Sequence, residues 1–331
     1  MANRKRLQAT LRASTFLCSA VASHKMTSKK HAPTVEETLI GMERIEEILE
    51  TALYSAHITE SIPISVFLIG PSGAGKSKLI MQYHCANGCH LTSDVTSMGL
   101  QELLASDHEN KIRCIIIPDF NLVLSHRAST LQLTIANLLS VMSEGTIRVD
   151  DGRQHKETKH FPCGVITAMT RELYVTVARK WNVLGLNRRF LPIYYEYSLD
   201  TRQRIQDRIQ AGTVTLRQLA AKELIITADY SPVSIGSSGM RIQSLSDELA
   251  TNMGWIPASS RKKRELHPDE QGEGKKAYFT GKALEFSPHL ALRSMARAHA
   301  LRDGRNEVSE ADTEFLIRLI GFTRFDRPGQ I

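Results

Sequence analysis

The sequence predicts an α/β protein in which a parallel sheet, covered by helices on both faces, is followed by a helical domain. Two observations predict the first part. Apolar, strand-like runs alternate with amphipathic helical patterns over residues 36–200, and a glycine-rich turn joins the first such run to the helix after it. A third observation predicts the second part, because helical patterns dominate residues 201–331.

The first elements can be predicted in chain order. An amphipathic helix is predicted in TVEETLIGMERIEEILETALYSA, which begins at Thr34, because Ile45, Ile48, Leu49 and Leu53 recur at helical spacing. The apolar run PISVFLIG predicts a strand, and KSKLIMQYH, after the glycine-rich turn, predicts a helix. The next segments predict a short strand (HLTSDV), a short helix (SMGLQELLAS) and a buried strand (IRCIIIPDF).

The remaining elements of the sheet domain continue this alternation. STLQLTIANLLSVMSEG predicts an amphipathic helix that ends at Gly145. Two β-prone arms on either side of Asp151 and Gly152 predict a hairpin over residues 146–160. CGVITAM and RRFLPIYYEYS then predict the last two buried strands.

The helical domain, residues 201–331, has clear signals mainly near its end. Residues 257–276 are polar and rich in turn formers, which predicts a mobile loop. SPHLALRSMARAHALRDG predicts a helix, with a serine cap, a proline in the first turn and Gly304 as its stop. SEADTEFLIRLIGF predicts a second helix, in which Ser309 and Asp312 have capping-box spacing.

The net charge of +7 is concentrated in residues 1–35, which hold seven basic residues and no acidic one. The remaining 35 basic residues are balanced by 35 acidic ones, so the folded body is neutral on average. We treat residues 1–35 as a basic, flexible arm that suits sequence-independent contacts with DNA phosphates. A transit peptide, or an extension without function that precedes a second start at Met26, stays open.

No apolar run approaches the roughly 20 residues that a membrane-spanning helix needs. We therefore expect a soluble, cytoplasmic protein without a membrane partner, and association with the nucleoid is an alternative location. The segment HCANGCH, residues 84–90, has the residue types of a four-ligand zinc site. Its Asn-Gly pair instead favours a tight connection from a helix to a strand.

The glycine-rich turn GPSGAGKS, residues 70–77, matches the complete pattern G-x-x-x-x-G-K-[ST] between a predicted strand and a predicted helix. In this pattern the backbone N–H groups surround the β-phosphate, Lys76 reaches the β- and γ-phosphates, and Ser77 coordinates Mg²⁺. We therefore predict that the chain binds ATP and Mg²⁺. The predicted nucleotide contacts are Gly70, Pro71, Ser72, Gly73, Ala74, Gly75, Lys76, Ser77 and Lys78.

With this loop identified, residues 35–320 resemble the AAA+ ATPases, and most closely the branch of minichromosome maintenance helicases, magnesium chelatases and MoxR-type proteins. LIGMERIEEIL resembles the leading helix of that family, and LQLTIANLLSVMSEGTIRVDDG is similar to the helix and hairpin after its Walker B strand. The resemblance implies a three-layer αβα P-loop domain, a helical lid domain, and assembly into a ring or helical array with ATP between subunits.

The resemblance also implies roles for single residues. VITAMT would hold the sensor-1 residue, for which we choose Thr167 over Thr170. GLNRRF resembles the arginine-finger segment, so that Arg189, or Arg188 as its alternative, would contact the γ-phosphate bound by a neighbouring subunit.

The last predicted helices resemble the lid of the family, which implies a sensor-2 arginine that contacts the nucleotide. Two arginines in ALRSMARAHALRDG are candidates, and we choose Arg293 over Arg297.

The strand CIIIPDFN, residues 114–121, departs from the family pattern, in which this strand ends in an Asp that orients Mg²⁺ and a Glu that polarises water. Here Asp119 is followed by Phe120, which can neither accept a proton nor orient water. Alternatively, Pro118 occupies the place of the Asp, and Asp119 is the acid on the water side. Asn121 can position a water but is a poor base. Both alignments leave one carboxylate and predict slow hydrolysis, since a general base contributes roughly 10²–10⁴-fold.

The hairpin over residues 146–160 is a second functional candidate, because in the similar helicases such a hairpin contacts DNA. Its charges are mixed, with basic and acidic side chains in similar number, so it lacks a clear phosphate-binding pattern and a solvated hairpin stays open. The charged residues toward its tip are Asp150, Asp151, Arg153, His155, Lys156, Glu157 and Lys159.

Three functions remain open after this reasoning. We favour an AAA+ ATPase that oligomerises with ATP at subunit interfaces and remodels or loads onto nucleic acid, with slow hydrolysis. The second is an ATP-dependent assembly switch that recruits a protein partner. The third is a chelatase-like or MoxR-like subunit that remodels a protein.

Overall fold

A computed structural model describes residues 39–58, 61–109, 111–150, 155–186, 189–211, 221–222, 224, 226, 233–257, 277–279 and 286–331. Contacts between residues divide the chain into two compact units, Met1–Glu37 and Thr38–Ile331. The first unit, which contains the predicted basic arm, lies outside the described residues. All elements named below belong to the second unit.

Strands are numbered in chain order over the described residues. They are β1 (Ser65–Gly70), β2 (Cys89–Leu91), β3 (Cys114–Ile117), β4 (Thr146–Asp150), β5 (His155–Lys159), β6 (Gly164–Thr170), β7 (Phe190–Glu196), β8 (Trp255–Pro257), β9 (Ala277–Phe279) and β10 (Gly329–Gln330). Six of them form an all-parallel sheet in the order β10-β7-β1-β6-β3-β2. The predicted parallel sheet is therefore confirmed.

The α-helices are numbered in the same way. They are α1 (Glu43–Ser55), α2 (Lys76–Met81), α3 (Ser97–Ser106), α4 (Asn121–Leu124), α5 (Ala128–Glu144), α6 (Arg171–Val183), α7 (Leu199–Gln210), α8 (Gly239–Met253), α9 (Phe286–Arg302) and α10 (Glu310–Ile320). A 3₁₀ turn, Gln82–Cys85, continues α2.

Helices cover both faces of the sheet, as the alternating pattern predicts. Because side chains along a strand alternate between faces, Val66 and Leu68 of β1 enter one core, and Phe67 and Ile69 enter the other. The first core contains apolar residues of α1, α2, α8, α9 and α10, and the second contains those of α3, α5 and α6. The fold is therefore three-layered, and its central strands are apolar on both faces.

Several local predictions are confirmed in detail. The helix before Gly145 ends there, as α5. The hairpin consists of β4 and β5, which pair antiparallel from Thr146 opposite Lys159 to Asp150 opposite His155. Its turn, residues 151–154, lies outside the described residues. The capping box of α10 is present in both halves, between Ser309 and Asp312.

Two pairings were not predicted from the sequence. The end of the chain adds β10 beside β7, with Gly329 opposite Tyr195, and the N–H of Ile331 donates to the carbonyl of Glu196 at 3.1 Å. β8 pairs antiparallel with β9 on either side of the predicted polar loop, most of which lies outside the described residues. Within the described part of the chain, no helix combines the length and apolarity needed to cross a membrane.

The helices α9 and α10 are joined to α1 by a partly buried ionic cluster, which we call the helix-joining network (Glu47, His299, Arg305 and Asp312). His299 bonds Asp312 through Nδ1 at 2.6 Å and Glu47 through Nε2 at 3.3 Å, and its ring stacks on Phe315 with centroids 4.2 Å apart. Arg305 donates two hydrogen bonds to Asp312, at 2.5 and 2.8 Å. The network therefore ties the last two helices to the first.

The network shifts the pKa values of its own members. Burial raises the pKa of Asp312, but hydrogen bonds from His299 and Arg305 outweigh that effect and hold it well below its usual range. Burial likewise lowers the pKa of His299, and the hydrogen bonds to Asp312 and Glu47 outweigh it and raise the pKa. Both shifts favour the charged forms, so each charge stabilises the other.

Candidate nucleotide-binding site

The predicted phosphate loop joins β1 to α2 and is built on two glycines with positive φ. Gly73 has a φ of 71° and Gly75 a φ of 74°, which is the left-handed region that glycine occupies without steric cost. A Cβ atom added at Gly73 would meet nothing within 4 Å. Glycine is therefore needed there for the course of the backbone, and the space beside the loop is open.

Two tyrosines hold the loop from the side of β7. The hydroxyls of Tyr195 and Tyr197 both donate to the carbonyl of Ala74, at 3.3 and 2.9 Å. Burial raises the pKa of Tyr197 to about 12 and that of Tyr195 further, so both hydroxyls keep their protons and remain donors. The loop is thus fixed by the sheet that carries it.

Lys76 is buried and lies back along its own loop. Its Nζ donates to the carbonyls of Gly70, at 3.1 Å, and Pro71, at 2.5 Å. Burial lowers the pKa of Lys76, and the carboxylates of Glu172 and Asp119 partly oppose this shift. The ammonium group therefore bonds only main-chain carbonyls in the described structure, and two carboxylates act on it from a distance.

The end of β3 lies beside the loop. Ser77 Oγ donates to the carbonyl of Pro118 at 3.0 Å, and Asp119 Oδ1 accepts the N–H of Asn121 at 3.0 Å. Because β1, β6 and β3 are adjacent and parallel, their carboxyl ends meet. We call this region the carboxyl end of the sheet, where residues 70–77, 118–121 and 170–172 lie.

Phe120 does not face the loop. Its side chain is fully buried, and its ring meets Phe67 and Trp181 edge to face, with centroids 5.7 and 5.5 Å apart. Its N–H donates to the carbonyl of Ala168 on β6 at 3.1 Å. The residue after Asp119 therefore belongs to the core between the sheet and α6.

Asn121 begins α4 and is half-buried. It lies at the carboxyl end of the sheet, four residues after the end of β3. Its Oδ1 is buried and, among the described residues, has no hydrogen-bond partner. The amide oxygen is therefore an acceptor that a water or ligand at this end can satisfy.

The two candidates for the sensor-1 residue lie at different depths along β6, and the Oγ1 of Thr167 has no hydrogen-bond partner among the described residues. Thr167 lies in the middle of β6, opposite Phe67 and Ile117, and is fully buried. Thr170 lies three residues further along, opposite Gly70, and its hydroxyl accepts the N–H of Leu173 at 3.4 Å. Since each strand residue advances about 3.3 Å, Thr170 reaches the carboxyl end of the sheet and Thr167 does not.

Arg189 lies at the opposite end of the sheet. It directly precedes β7, is exposed, and donates from Nε to Ser143 Oγ at 2.7 Å. Phe190 is opposite Ser65, which lies five residues before Gly70, so about 16 Å of strand separates Arg189 from its own phosphate loop. Arg188, the alternative finger residue, lies outside the described residues.

The structure also separates Arg293 from the phosphate loop of its own chain. The start of α9 and the start of β1 line one apolar cavity of about 310 Å³, together with Arg189. Next to Arg293, Ser294 Oγ is 2.7 Å from Ser61 Oγ. Arg293 therefore lies near the amino end of the sheet, because α9 meets the start of β1 there, and among the described residues no hydrogen bond joins it to its own phosphate loop.

Glu172 is a residue at the carboxyl end that the sequence reasoning missed. It lies in the first turn of α6 and is exposed. Its carboxylate raises the pKa of Lys76 more than the carboxylate of Asp119 does, although burial lowers that pKa overall. The neighbouring Arg171 pairs with Glu196 and donates to the carbonyl of Phe325 at 3.1 Å, which fixes the start of the helix. An acid two residues after a strand adjacent to β1 was the available signal.

Metal binding was considered at two places. HCANGCH forms the 3₁₀ turn Gln82–Cys85 and the start of β2, and no three His, Cys, Asp or Glu side chains among the described residues are grouped to hold a metal ion. The phosphate loop offers the hydroxyl of Ser77 with one nearby carboxylate. That set fits Mg²⁺, which takes few protein ligands and completes its shell with water and phosphate oxygens.

Comparison with known proteins adds no relative: no protein-family model matches the chain, and no curated protein matches it.

Proposed function

We propose that this chain is an AAA+ type ATP-binding protein that assembles with ATP at its subunit interfaces and loads onto or remodels nucleic acid. The observation that carries the proposal is the placement of two groups at opposite ends of one sheet. The phosphate loop lies at the carboxyl end, and Arg189 is exposed at the amino end. One chain cannot direct both groups at one γ-phosphate, whereas two chains stacked end to end can.

The proposed roles at the carboxyl end follow from its contacts. Lys76 would exchange its main-chain acceptors for the β- and γ-phosphate oxygens, and the loop N–H groups would bind the β-phosphate. Ser77 would hold Mg²⁺, which supplies charge neutralisation of the phosphate oxygens when bound. Thr170 and Asn121, at the ends of β6 and β3, are the neutral polar groups available to the γ-phosphate or to water.

The AAA+ assignment is supported by the order of strands. β6, which contains the segment that resembles sensor 1, lies between the phosphate-loop strand β1 and the Walker B strand β3. Its polar end is therefore flanked by both motifs, as the resemblance requires. The hairpin β4–β5 follows α5 and precedes β6, which is the order in the similar helicases.

An assembly switch that recruits a protein partner is the second candidate. The burial of Phe120 favours it, since the carboxyl end then holds few acids that can activate water. Both candidates predict ATP binding, and they differ in turnover. DNA should stimulate hydrolysis by a nucleic-acid remodeller and should leave a protein-recruiting switch, or a subunit that remodels a protein, unchanged.

The proposal is tested by sedimentation velocity with and without Mg-ATP, on the wild type and three variants. We expect the wild type to assemble only with ATP, Lys76→Ala to bind no ATP and stay unassembled, and Arg189→Ala to bind ATP without assembling. Arg204→Ala is the matched control, because Arg204 is an exposed arginine on α7. A wild-type profile that ATP leaves unchanged, or an Arg189→Ala protein that assembles normally, contradicts the proposal.

A further inference from the structure

Two cysteine side chains meet in the sheet, away from the phosphate loop. Cys89, in the segment HCANGCH, begins β2, which lies beside β3 at one edge of the sheet, and Cys114 begins β3. The two residues are direct partners in the parallel register of these strands. Because both strands begin there, the pair lies at the amino end of the sheet, and the phosphate loop lies at the other end.

The side chains of this pair lie on the same face of the sheet. Cys114 is part of the first core, which contains residues of α1 and α2, and Cys89 packs against that core. A hydrogen bond with Cys89 is the largest cause of the raised pKa of the Cys114 thiol, and burial is the second. The two thiols are therefore in contact, and Cys114 keeps its proton.

The backbone of the two strands has the spacing that a disulfide needs. Neighbouring strands lie about 4.8 Å apart, and disulfides join residues whose Cα atoms are about 4.4–6.8 Å apart. Cys89 and Cys114 are register partners with side chains on one face. A disulfide between them therefore requires side-chain rotation, and it does not require one strand to slide along the other.

The two thiols differ in their access to solvent. Cys89 is half-buried, as all three residues of β2 are, whereas Cys114 is buried. A small oxidant can therefore reach Cys89 from solvent, while Cys114 can react only with a group inside the protein. This arrangement suits a pair in which one cysteine is oxidised first and the second cysteine resolves it.

Two other described cysteines have different surroundings. Cys85 is half-buried on the 3₁₀ turn that continues α2. Cys163 is buried in the second core, and its Sγ lies 3.4 Å from the carbonyl oxygens of Ile112 and Phe161. Burial raises the pKa of Cys163 to about 12, so it remains a thiol. Neither cysteine lies in a described strand, so neither has a register partner.

We propose that Cys89 and Cys114 are a redox-active pair, which a peroxide converts into a disulfide that fastens the edge strand β2 to β3. In the first step the sulfur of Cys89 attacks one oxygen of hydrogen peroxide, the O–O bond breaks, and a sulfenic acid and one water form. In the second step the sulfur of Cys114 attacks the sulfur of Cys89, and the hydroxyl group leaves as water with the thiol proton of Cys114. Both sulfurs are oxidised, and the peroxide is reduced to two waters.

Peptide mapping of the full-length chain tests the proposal. The chain is treated with hydrogen peroxide, its remaining thiols are blocked, and it is digested with trypsin without reduction. Trypsin releases Cys114 in residues 114–127 and Cys89 in residues 79–111. We expect these two peptides to be joined, and dithiothreitol to separate them. A peptide 114–127 that stays unjoined, or that is joined mainly to another cysteine peptide, overturns the inference.

Variants identify the partner, because residues 79–111 also contain Cys85. Cys85→Ser is the matched control and should form the linked peptides as the wild type does, whereas Cys89→Ser should form none. Cys114→Ala should leave Cys89 as a sulfenic acid that dimedone labels. Linked peptides that persist in Cys89→Ser, or that are lost in Cys85→Ser, show that Cys85 is the partner and that the inference is wrong.

Thermal unfolding measures whether the disulfide fastens the edge strand. The bond closes the segment between Cys89 and Cys114 in the unfolded chain, so we expect the unfolding temperature of the wild type to rise by about 5 °C on oxidation. Cys89→Ser, treated in the same way, controls for oxidation of methionines. If oxidation raises the unfolding temperature of the wild type no more than that of Cys89→Ser, the disulfide does not fasten β2 to β3 and that part of the proposal is wrong.

Discussion

The helix-joining network and the carboxyl end of the sheet are both rich in charge, but they use it differently. In the network, Asp312 is fully buried and bonds His299 and Arg305, and His299 also bonds Glu47. At the carboxyl end, Lys76 and Ser77 donate to main-chain carbonyls, and Asp119 accepts a main-chain N–H. The network pairs its charges with each other, whereas Lys76 and Asp119 at the carboxyl end have no ion-pair partner among the described residues.

The difference separates a stabilising cluster from a binding site. Breaking a buried ion pair leaves an uncompensated charge and is strongly destabilising. The side chains at the carboxyl end hold contacts that a phosphate or a water can replace. Variants in the network should therefore lose stability and keep their nucleotide affinity. Substitutions of polar residues at the carboxyl end should keep stability and lose nucleotide affinity.

Phe120→Glu has the largest expected effect. It tests whether residue 120, which directly follows Asp119, belongs to the core or to the binding site. Because Phe120 is fully buried beside Phe67 and Trp181, the variant loses aromatic packing and buries a carboxylate. We expect a loss of about 4 kcal/mol or more in the free energy of unfolding, measured by urea denaturation, and no gain in ATP turnover.

Leu122→Glu is the matched control for Phe120→Glu, since Leu122 is 48% exposed two residues away. Its free energy of unfolding should lie within about 0.5 kcal/mol of the wild type. A stable Phe120→Glu protein with raised ATP turnover would show that the side chain of residue 120 reaches the nucleotide and is not buried in the core.

Asp312→Ala removes the buried acceptor of the network and has the next largest effect. We expect it to lower the free energy of unfolding by about 3–5 kcal/mol, because Arg305 and His299 lose their buried partner. Asp303→Ala removes an acceptor that is 41% exposed and should cost at most about 1 kcal/mol. We expect the wild type, Asp312→Ala and Asp303→Ala to bind ATP with equal affinity below their unfolding temperatures, because the network does not contact the nucleotide. A loss of ATP affinity confined to Asp312→Ala would show that the network and the site are coupled.

His299 makes the network sensitive to pH. Its pKa is raised in the folded protein, so its contribution to stability is complete below about pH 6.5 and is lost as the pH rises through the folded pKa. We expect the free energy of unfolding of the wild type to fall over that range, and His299→Gln to show a flatter profile. Urea denaturation at a series of pH values measures this, and parallel profiles would show that His299 is not the titrating group.

Tyr197→Phe has the smallest expected effect. It removes one of two hydroxyls that donate to the carbonyl of Ala74, and the hydroxyl of Tyr195 remains. We expect a loss of about 1 kcal/mol in the free energy of unfolding and a small loss of ATP affinity. The double variant with Tyr195→Phe leaves that carbonyl without either donor, so thermal unfolding should show a larger decrease than the two single variants added together.

Elements whose signals are local could be predicted from the sequence alone. A strand, a glycine-rich turn and a helix in succession predicted the phosphate loop. The Gly145 stop predicted the end of α5, and the spacing of Ser309 and Asp312 predicted the capping box. In each case the residues that contact one another are neighbours in the chain, so their spacing in the sequence is enough to predict the contact.

Other features depend on contacts between segments that are distant in the chain, and these required the three-dimensional structure. The neighbours of Phe120, the placement of Arg189 and Arg293 at the amino end of the sheet, and the electrostatic effect of Glu172 on Lys76 all depend on the order of strands in the sheet. The positions of Thr167 and Thr170 are an example, because register against Gly70 decides which threonine reaches the end of the sheet. Register and strand order are set by packing over the whole sheet, and no short stretch of sequence contains them.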